Sequence, residues 1–272
     1  MTEMKKIIIL CVNYNSYDSL NHYLASINEA FLETKNKFLL SVYIGDNSLN
    51  SQKISDDYAF DVRHYVSGDN LGYFGGVEYA IKQSNVDLSE FDYIIISNVD
   101  LTIDKKFFDE LLKADTDECV GCIAPSIFSL SDNRDRNPKI ISRPGKKKLV
   151  VQRLLYKYPI LDRIYVSFFY AKRRLKLQNH SEGYIYAAHG SFIVFTNKFA
   201  NFLQAMDYPC FLFGEEIYLA EHLRKLGLKT FYNPMLKVYD TDHVSTSKMK
   251  SKAYYHYNYK SIDMLLKEFF YE

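Results

Sequence analysis

Strand-like and helix-like segments alternate along the first half of this chain. Residues 7–12 and 38–44 are apolar, β-rich runs, and between them residues 19–32 carry apolar side chains at helical spacing. The alternation continues with strand patterns at 62–66 and 93–96 and helix patterns at 75–84 and 105–114. Strands separated by helices form βαβ units. The pattern therefore predicts an α/β fold with a mostly parallel central sheet flanked by helices.

Each of the four early strand patterns ends in polar, small or acidic residues. These endings are Asn13-Tyr14-Asn15, Gly45-Asp46-Asn47-Ser48, residues 68–72 and Ser97-Asn98-Val99-Asp100. Any one of them alone is typical of an ordinary turn. The carboxyl ends of parallel strands meet at one edge, so together they predict a polar ligand-binding crevice with Asp46 and Asp100 as its acids. The usual dinucleotide and nucleoside-triphosphate loops do not follow the first strand.

The segment Asn98-Val99-Asp100 has two interpretations. Asn and Asp commonly end strands and cap helices. An Asn-x-Asp pair at a strand end can also hold a divalent cation together with the phosphates that the cation neutralises.

Composition excludes some classes of protein. The 272 residues are 47% apolar and carry a net charge of +1, which argues against a chain that binds nucleic acid over its whole surface. No window approaches the roughly 18 apolar residues of a membrane span, and residues 1–6 are too short and polar for a signal peptide. We therefore expect a cytoplasmic protein. Cys119 and Cys122 lack a second pair for a zinc site and are expected to be buried free thiols.

The second half predicts further elements and one unusual segment. Strands are expected at 191–195, 230–232 and 237–239, and helices at 197–205, 215–226 and 252–270. Residues 143–178 contain eleven Lys or Arg and one acid, a net charge of +10, so the remainder carries −9. This segment is also rich in Leu, Tyr, Phe and Val. It predicts a basic aromatic insertion that docks on the inner face of the plasma membrane. The alternative is a helical insertion packed on the core or on a second subunit, and nucleic acid is the least favoured partner.

The order of these motifs resembles the family 2 glycosyltransferases, which are inverting enzymes with the GT-A fold, and in particular their rhamnosyl- and galactofuranosyltransferase-like branch. The resemblance spans residues 6–244. It rests on the following stretches of this sequence: Tyr14-Asn15, Asp46-Asn47-Ser48, residues 70–81, Asn98-Val99-Asp100, His189-Gly190-Ser191, residues 215–222 and His243 with the Ser and Thr residues after it.

The resemblance implies a role for each motif. Asp46 is expected to contact the nucleotide base, and the other donor-binding residues are Asn13, Asn15, Asn70, Gly72 and Asn98. Asp100 and His243 are expected to hold Mn²⁺ or Mg²⁺, and His189 and Gly190 to border the acceptor. Glu216 is the expected catalytic base, with Glu215 as the alternative. The sequence departs from the family where Glu216 replaces an Asp, Tyr218 replaces a second Asp and His222 replaces an Arg.

The expected organisation is a single GT-A domain over residues 1–272. It comprises a nucleotide-sugar-binding half at 1–125, the basic insertion at 143–178, and an acceptor half with a C-terminal helix at 183–272. The expected activity is sugar transfer from a UDP- or dTDP-sugar to a saccharide acceptor in cell-surface polysaccharide synthesis, with a polyprenyl-diphosphate-linked acceptor as one form. Homo-oligomerisation is left open. The rival interpretations are a catalytically dead binding subunit with the same fold and, less favoured, a nucleotidyltransferase.

Overall fold

The computed structural model describes residues 4–35, 37–55, 57–114, 117–169, 181–240 and 251–271, without the side chains of 164, 166–169 and 251. Ten strands are assigned within these ranges: β1 Lys6–Asn13, β2 Leu39–Asp46, β3 Asp61–Val66, β4 Tyr93–Asn98, β5 Leu101–Ile103, β6 Val120–Ser129, β7 Arg134–Asp135, β8 Gly183–Ile185, β9 Phe192–Thr196 and β10 Lys229–Asp240. The α-helices of the same ranges are α1 Tyr17–Glu33, α2 Gly72–Ser84, α3 Phe107–Lys113, α4 Lys146–Lys157, α5 Pro159–Phe169, α6 Ala200–Gln204, α7 Glu215–Lys225 and α8 Ser251–Phe269.

One twisted sheet contains all of these strands. Its order is β3-β2-β1-β4-β9-β6-β10-β5, with β7 beside β6 and β8 beside β10. Strands β1 to β4 are mutually parallel, and β6 is parallel to β10. Strand β9 runs antiparallel between β4 and β6. The expected mostly parallel sheet is therefore confirmed, with β9 as the reversed strand at its centre.

The sheet is covered on both faces, which explains the unbroken apolar runs of its inner strands. In β1, Ile8 and Leu10 face a core cluster that includes side chains of α2, α7 and α8. The alternate residues Ile7 and Ile9 face a second cluster formed with α1 and α3. Successive side chains of a strand point to opposite faces, so a strand buried on both sides must be apolar at every position.

Three of the predicted elements differ from the structure by more than a shift of one or two residues. The two short strands expected at 230–232 and 237–239 are one strand, β10, whose pairing with β6 shifts between Asn233 and Lys237. Pro234 lies in this shift, where a residue without an N–H breaks the ladder without ending the strand. Helix α2 begins at Gly72 rather than at 75, and residues 197–205 divide into a 3₁₀ turn followed by α6.

The basic segment is helical over its described part. Helix α4 packs along α8, and α5 packs against α4. No helix within the described residues is long and apolar enough to cross a membrane. Cys11 and Cys122 are buried, whereas Cys119 and Cys210 are half-buried, which corrects the expectation for Cys119.

Candidate active site

The polar residues that follow β1, β2 and β4 lie in one row at the carboxyl edge of the sheet. Asn13 pairs in register with Asp46, and its neighbour Val12 pairs with Asn98. Asn13 Nδ2 donates to Asp46 Oδ1 at 3.1 Å. The parallel register ends the three strands at the same level, so Asn13 contacts Asp46, and Asn98 lies at the same edge with its side chain on the other face of the sheet.

Asp46 is fully buried and accepts four hydrogen bonds from protein groups. Oδ1 accepts from Asn13 Nδ2 and the Ser48 backbone N–H, at 3.1 and 3.0 Å. Oδ2 accepts from Tyr17 OH at 2.6 Å and from His64 Nε2 at 2.7 Å. A carboxylate offers about four acceptor positions, so all of them are in use.

These bonds determine the charge of Asp46. Burial alone would raise the pKa of this carboxyl, but hydrogen bonds from His64, Ser48 and Tyr17 outweigh burial and lower the pKa to about 2. A carboxylate can only accept, so Nε2 of His64 carries a proton. His64 was missed by sequence reasoning. It lies opposite Ile44 on β3, two positions before the partner of Asp46, and only the strand register reveals that alignment.

The glycine-rich motif builds the adjacent wall of the crevice. Gly72 has φ +79°, and a Cβ atom built there would lie 2.1 Å from the Phe211 carbonyl oxygen. Asn70 Oδ1 accepts from the Gly72 N–H at 3.1 Å, and Asn47 Nδ2 donates to the Gly72 carbonyl at 2.7 Å. Asn70 and Gly72 therefore shape the start of α2. Asn47 Oδ1 is buried and has no hydrogen-bond partner among the described residues.

Asn15 and Asn98, which were predicted to bind the donor, and Asp100, the predicted metal ligand, lie at the same edge. The Asn15 N–H donates to Ser48 Oγ at 2.8 Å, and Asn15 has φ 51°. Asn98 ends β4, and its backbone N–H donates to the Ser191 carbonyl at 2.8 Å. Asp100 is half-buried between β4 and β5. Asp100 thus lies directly after the strand end that the sequence indicated.

The two acids that open α7 lie in different environments. Glu215 is buried and accepts from the Phe213 N–H at 2.8 Å. Burial, and secondly the charge of Glu216, raise the pKa of Glu215 to about 8. Glu216 instead faces Gly190, where a built Cβ atom would lie 3.6 Å from Glu216 Oε1. Lys139 Nζ is 3.8 Å from the same oxygen. Glu216 is therefore the acid that reaches the crevice wall.

Gly190 and Ser191 join the predicted acceptor side to the predicted donor side. Tyr73 OH donates to the Gly190 carbonyl at 2.9 Å, and Ser191 bonds the end of β4 through Asn98. Burial raises the pKa of Tyr73 well above its usual value, and the charges of Glu215 and Asp100 add to the effect. A short path of contacts, from Glu216 through Gly190 and Ser191 to Asn98, thus connects the two groups of predicted residues. Tyr73 and Lys139 were not among the residues predicted from the sequence.

His189 supports this turn. Its Nδ1 accepts from the Ser191 N–H at 3.2 Å and lies 2.9 Å from Ser191 Oγ. The His189 N–H donates to Asn137 Oδ1 at 2.8 Å. His189 therefore positions the 189–191 turn, which it shares with Gly190.

Two of the three positions where α7 departs from the family pattern, Tyr218 and His222, pack against the core. Tyr218 and His222 pack against Phe202 and Phe269, with the His222 and Phe202 ring centroids 4.3 Å apart. Burial, and secondly Lys225, lower the pKa of His222 to about 4, so this imidazole is neutral at pH 7. These side chains hold α7 against α8 and do not face the crevice.

The described residues supply only part of a binding site for a divalent cation. No group of three or more His, Cys, Asp or Glu within the described ranges is arranged to hold a metal. Asp100 supplies one carboxylate beside Asn98, and oxygen ligands of this kind suit Mg²⁺ or Mn²⁺. The second predicted ligand, His243, lies outside the described residues.

Comparison with known proteins identifies the family of this chain. The family model "Glycosyl transferase family 2" matches residues 7–182. A crystal structure of GalNAc-T7 with UDP, GalNAc and Mn²⁺ aligns with a TM-score of 0.63 at 10% identity. The alignment covers 100% of this chain and 49% of that one, so this chain spans about half the length of GalNAc-T7.

A second solved structure, S. aureus TarS residues 1–349, aligns with a TM-score of 0.49 at 11% identity, covering 98% of this chain and 73% of that one. No curated protein sequence matches significantly. The family match covers more than half of the sequence, and the fold aligns with that of GalNAc-T7. The chain belongs to glycosyl transferase family 2 and has the GT-A fold.

Proposed function

We propose that this protein is an inverting glycosyltransferase that moves a sugar from a UDP- or dTDP-sugar to a hydroxyl group of a saccharide acceptor. The observation that carries the proposal is the position of Glu216 beside Gly190, because the next residue, Ser191, is hydrogen-bonded to the end of strand β4. A carboxylate is thereby held beside the row of polar strand ends where such sheets bind ligands.

Glu216 is the proposed catalytic base. An acceptor hydroxyl that attacks the anomeric carbon from the face opposite the leaving diphosphate must lose its proton, and Glu216 Oε1 would take it. Burial, and secondly the charge of Glu216, raise the pKa of Glu215 to about 8, which favours its neutral form and makes Glu215 the weaker candidate for accepting a proton. Lys139 Nζ lies 3.8 Å from Glu216 Oε1 and places a positive charge beside the proposed base.

Asp100 is the proposed metal ligand, with His243 as the second. A bound Mn²⁺ or Mg²⁺ would neutralise negative charge that develops on the leaving diphosphate. The GalNAc-T7 structure contains Mn²⁺ and UDP, which supports a divalent cation and a uridine donor here.

The donor base is proposed to lie against the Asp46 network. Uracil and thymine share an imide N–H that a carboxylate can accept. Because Asp46 already accepts four protein hydrogen bonds, base reading by this residue requires that one of its donors give way. Asn13, Asn15, Asn70, Gly72 and Asn98 are proposed to shape or line the rest of the donor site, and His189 and Gly190 the acceptor side.

The proposed setting is cell-surface polysaccharide synthesis on the cytoplasmic side of the membrane, with a saccharide on a polyprenyl diphosphate as one form of the acceptor. The second candidate function is a sugar-nucleotide-binding subunit without activity. It is favoured by the Asp-to-Glu change at Glu216 and by the packing of Tyr218 and His222 against Phe202 and Phe269.

One experiment addresses both the donor class and the rival function. Purified protein is titrated calorimetrically with UDP, dTDP, GDP and CDP in the presence of Mn²⁺, and slow release of nucleoside diphosphate from UDP- and dTDP-sugars is then measured. We expect tighter binding of UDP or dTDP than of the other two, and release that stops on addition of EDTA. Tighter GDP binding would contradict the donor assignment, and binding without any release would favour the inactive subunit.

A further inference from the structure

Helix α4 exposes an apolar stripe on the side away from the protein core. Its inner side buries Leu149 and packs along α8. On its outer side Val151, Leu154 and Tyr158 follow Lys147 at helical spacing, and each of the three is 48% exposed. A surface helix in water normally carries polar residues there, so this stripe is a candidate docking surface.

The apolar surface continues onto α5, which packs against α4 and starts one residue after Tyr158. Ile160 is 72% exposed, and Leu161 and Tyr165 are each 42% exposed. We call the combined surface, from Lys146 to Tyr165 on α4 and α5, the α4–α5 face.

Cations surround this apolar surface. The exposed cations of α4 and α5, within the described residues, are Lys146, Lys147, Lys148, Lys157 and Arg163. Two further cations of the segment are engaged inside the protein: Arg143 pairs with Glu221 at 2.6 Å and Arg153 with Asp263 at 2.8 Å. Structural ion pairs therefore do not account for the excess positive charge of the α4–α5 face.

We propose that the α4–α5 face docks on the surface of a membrane that contains anionic lipids. Apolar side chains flanked by Lys and Arg fit the boundary between acyl chains and negative headgroups. A second copy of this chain is disfavoured, because a symmetric contact would bring two strongly basic surfaces together. This proposal stands on surface chemistry and does not depend on the proposed sugar transfer.

If the proposed function holds, the α4–α5 face is attached to the helix that carries the proposed catalytic base. Arg143, just before α4, is bonded to Glu221 of α7, the helix that begins with Glu215 and Glu216. The docked surface is thus attached to the acceptor half, which suits an acceptor whose lipid carrier lies in the same membrane.

Vesicle flotation tests the proposal. The full chain is mixed with phosphatidylcholine vesicles, with or without phosphatidylglycerol, at low and high salt. We expect co-flotation only with the anionic vesicles, weakened by salt because exposed charges are screened. The double variant Lys147→Ser, Lys148→Ser should lose about fivefold in partitioning per lysine removed. Its matched control, Lys35→Ser with Lys106→Ser, removes two exposed lysines near α1 and α3 and should float like the wild type.

The apolar contribution is tested separately. Leu154→Ser with Ile160→Ser should reduce partitioning about tenfold, whereas Leu32→Ser with Leu39→Ser, also exposed, should leave it unchanged. Circular dichroism and sedimentation velocity are measured for every variant. Wild-type protein that stays unbound with anionic vesicles at low salt would refute the proposal. So would a dimer in solution that Leu154→Ser dissociates, since that would make the α4–α5 face a contact between copies of the chain.

Discussion

At the scale of single residues, Glu216 and Glu215 are adjacent in sequence but differ in surroundings, and this separates their expected roles. Glu216 faces Gly190, whereas Glu215 is buried against the Phe213 N–H. We expect Glu216→Gln to reduce sugar transfer by on the order of 10²–10⁴-fold, because the amide cannot accept the hydroxyl proton, while donor binding by calorimetry is retained.

The matched control is Glu215→Gln, which replaces a carboxyl whose neutral form is already favoured with a neutral amide of similar shape. It should keep most of the activity. Loss of activity in Glu215→Gln, with normal activity in Glu216→Gln, would move the base to Glu215.

Glu215 also predicts a pH dependence of stability. Its pKa is raised from 4.5 to about 8 in the folded protein. The stabilisation that the protonated side chain provides is complete below the unfolded pKa and is lost as pH rises through the folded value. Urea unfolding of the wild type should therefore give a free energy that falls between about pH 4.5 and pH 8 relative to Glu215→Gln. Parallel pH profiles for the two proteins would contradict this assignment.

Asp100 is expected to be required for metal-dependent activity. Replacing it with Asn removes the negative charge but keeps the size and an oxygen atom, so the fold should be unaffected. We expect Asp100→Asn to lose at least about 100-fold in nucleoside diphosphate release, because a cation on the leaving group contributes several kcal/mol. Binding of Mn²⁺ with UDP, followed by calorimetry, should weaken in parallel. Undiminished Mn²⁺ binding in Asp100→Asn would assign the metal to other residues.

Residue identities at strand ends were predictable from sequence, but their partners were not. An apolar run followed by Asn or Asp marks a strand end, which located Asn13, Asp46 and Asn98. His64 and Tyr73 could not be found this way, because their contacts depend on the strand register and on how α2 lies over the sheet.

At the scale of elements, β2 and α2 meet through two glycines. A Cβ atom added to Gly45 would lie 2.2 Å from the Gly76 carbonyl oxygen, so the helix would have to move. We expect Gly45→Ala to destabilise the protein by about 1–3 kcal/mol and to weaken nucleotide binding, because α2 begins at the crevice wall. The free energy is measured by urea unfolding.

The control for that substitution is Gly145→Ala. Nothing lies within 4 Å of a Cβ atom at Gly145, so its effect should stay within about 0.5 kcal/mol. Equal stability of Gly45→Ala and the wild type would show that β2 and α2 separate easily.

Elements with strong periodicity were predicted well. Errors occur where a residue type is compatible with two structures. Proline commonly ends a strand, yet β10 continues across Pro234 through a shift in its register with β6. Strands β5, β7 and β8 have two or three residues each, too few for a pattern to identify.

At the scale of the whole molecule, Arg143 ties the basic insertion to both C-terminal helices. It donates to Glu221 of α7 and to the Phe269 carbonyl at the end of α8, and its guanidinium lies 4.2 Å from the centre of the Phe270 ring. We expect Arg143→Met to destabilise the protein by about 1–3 kcal/mol, because Glu221 is buried and would lose its bidentate partner.

Arg224 provides the comparison, since it bonds the same carboxylate from a more exposed position. Arg224→Met should cost less than about 1 kcal/mol. If thermal unfolding shows equal losses for the two variants, Arg143 is not the principal partner of Glu221. The sequence indicated a helical insertion here but gave no sign of this anchor, because Arg143 and Glu221 are 78 residues apart.

Strand β9 runs antiparallel beside β4, and this pairing fixes the distance between the end of β4 and the 189–191 turn. The backbone bond from Asn98 to Ser191 belongs to the edge of the sheet, so the spacing between the donor strand end and the 189–191 turn does not depend on any surface loop. Helices α4 and α5 lie between β7 and β8 along the chain and belong to no strand of the sheet. The segment that carries the α4–α5 face can therefore vary while the spacing between the proposed donor and acceptor sides is kept.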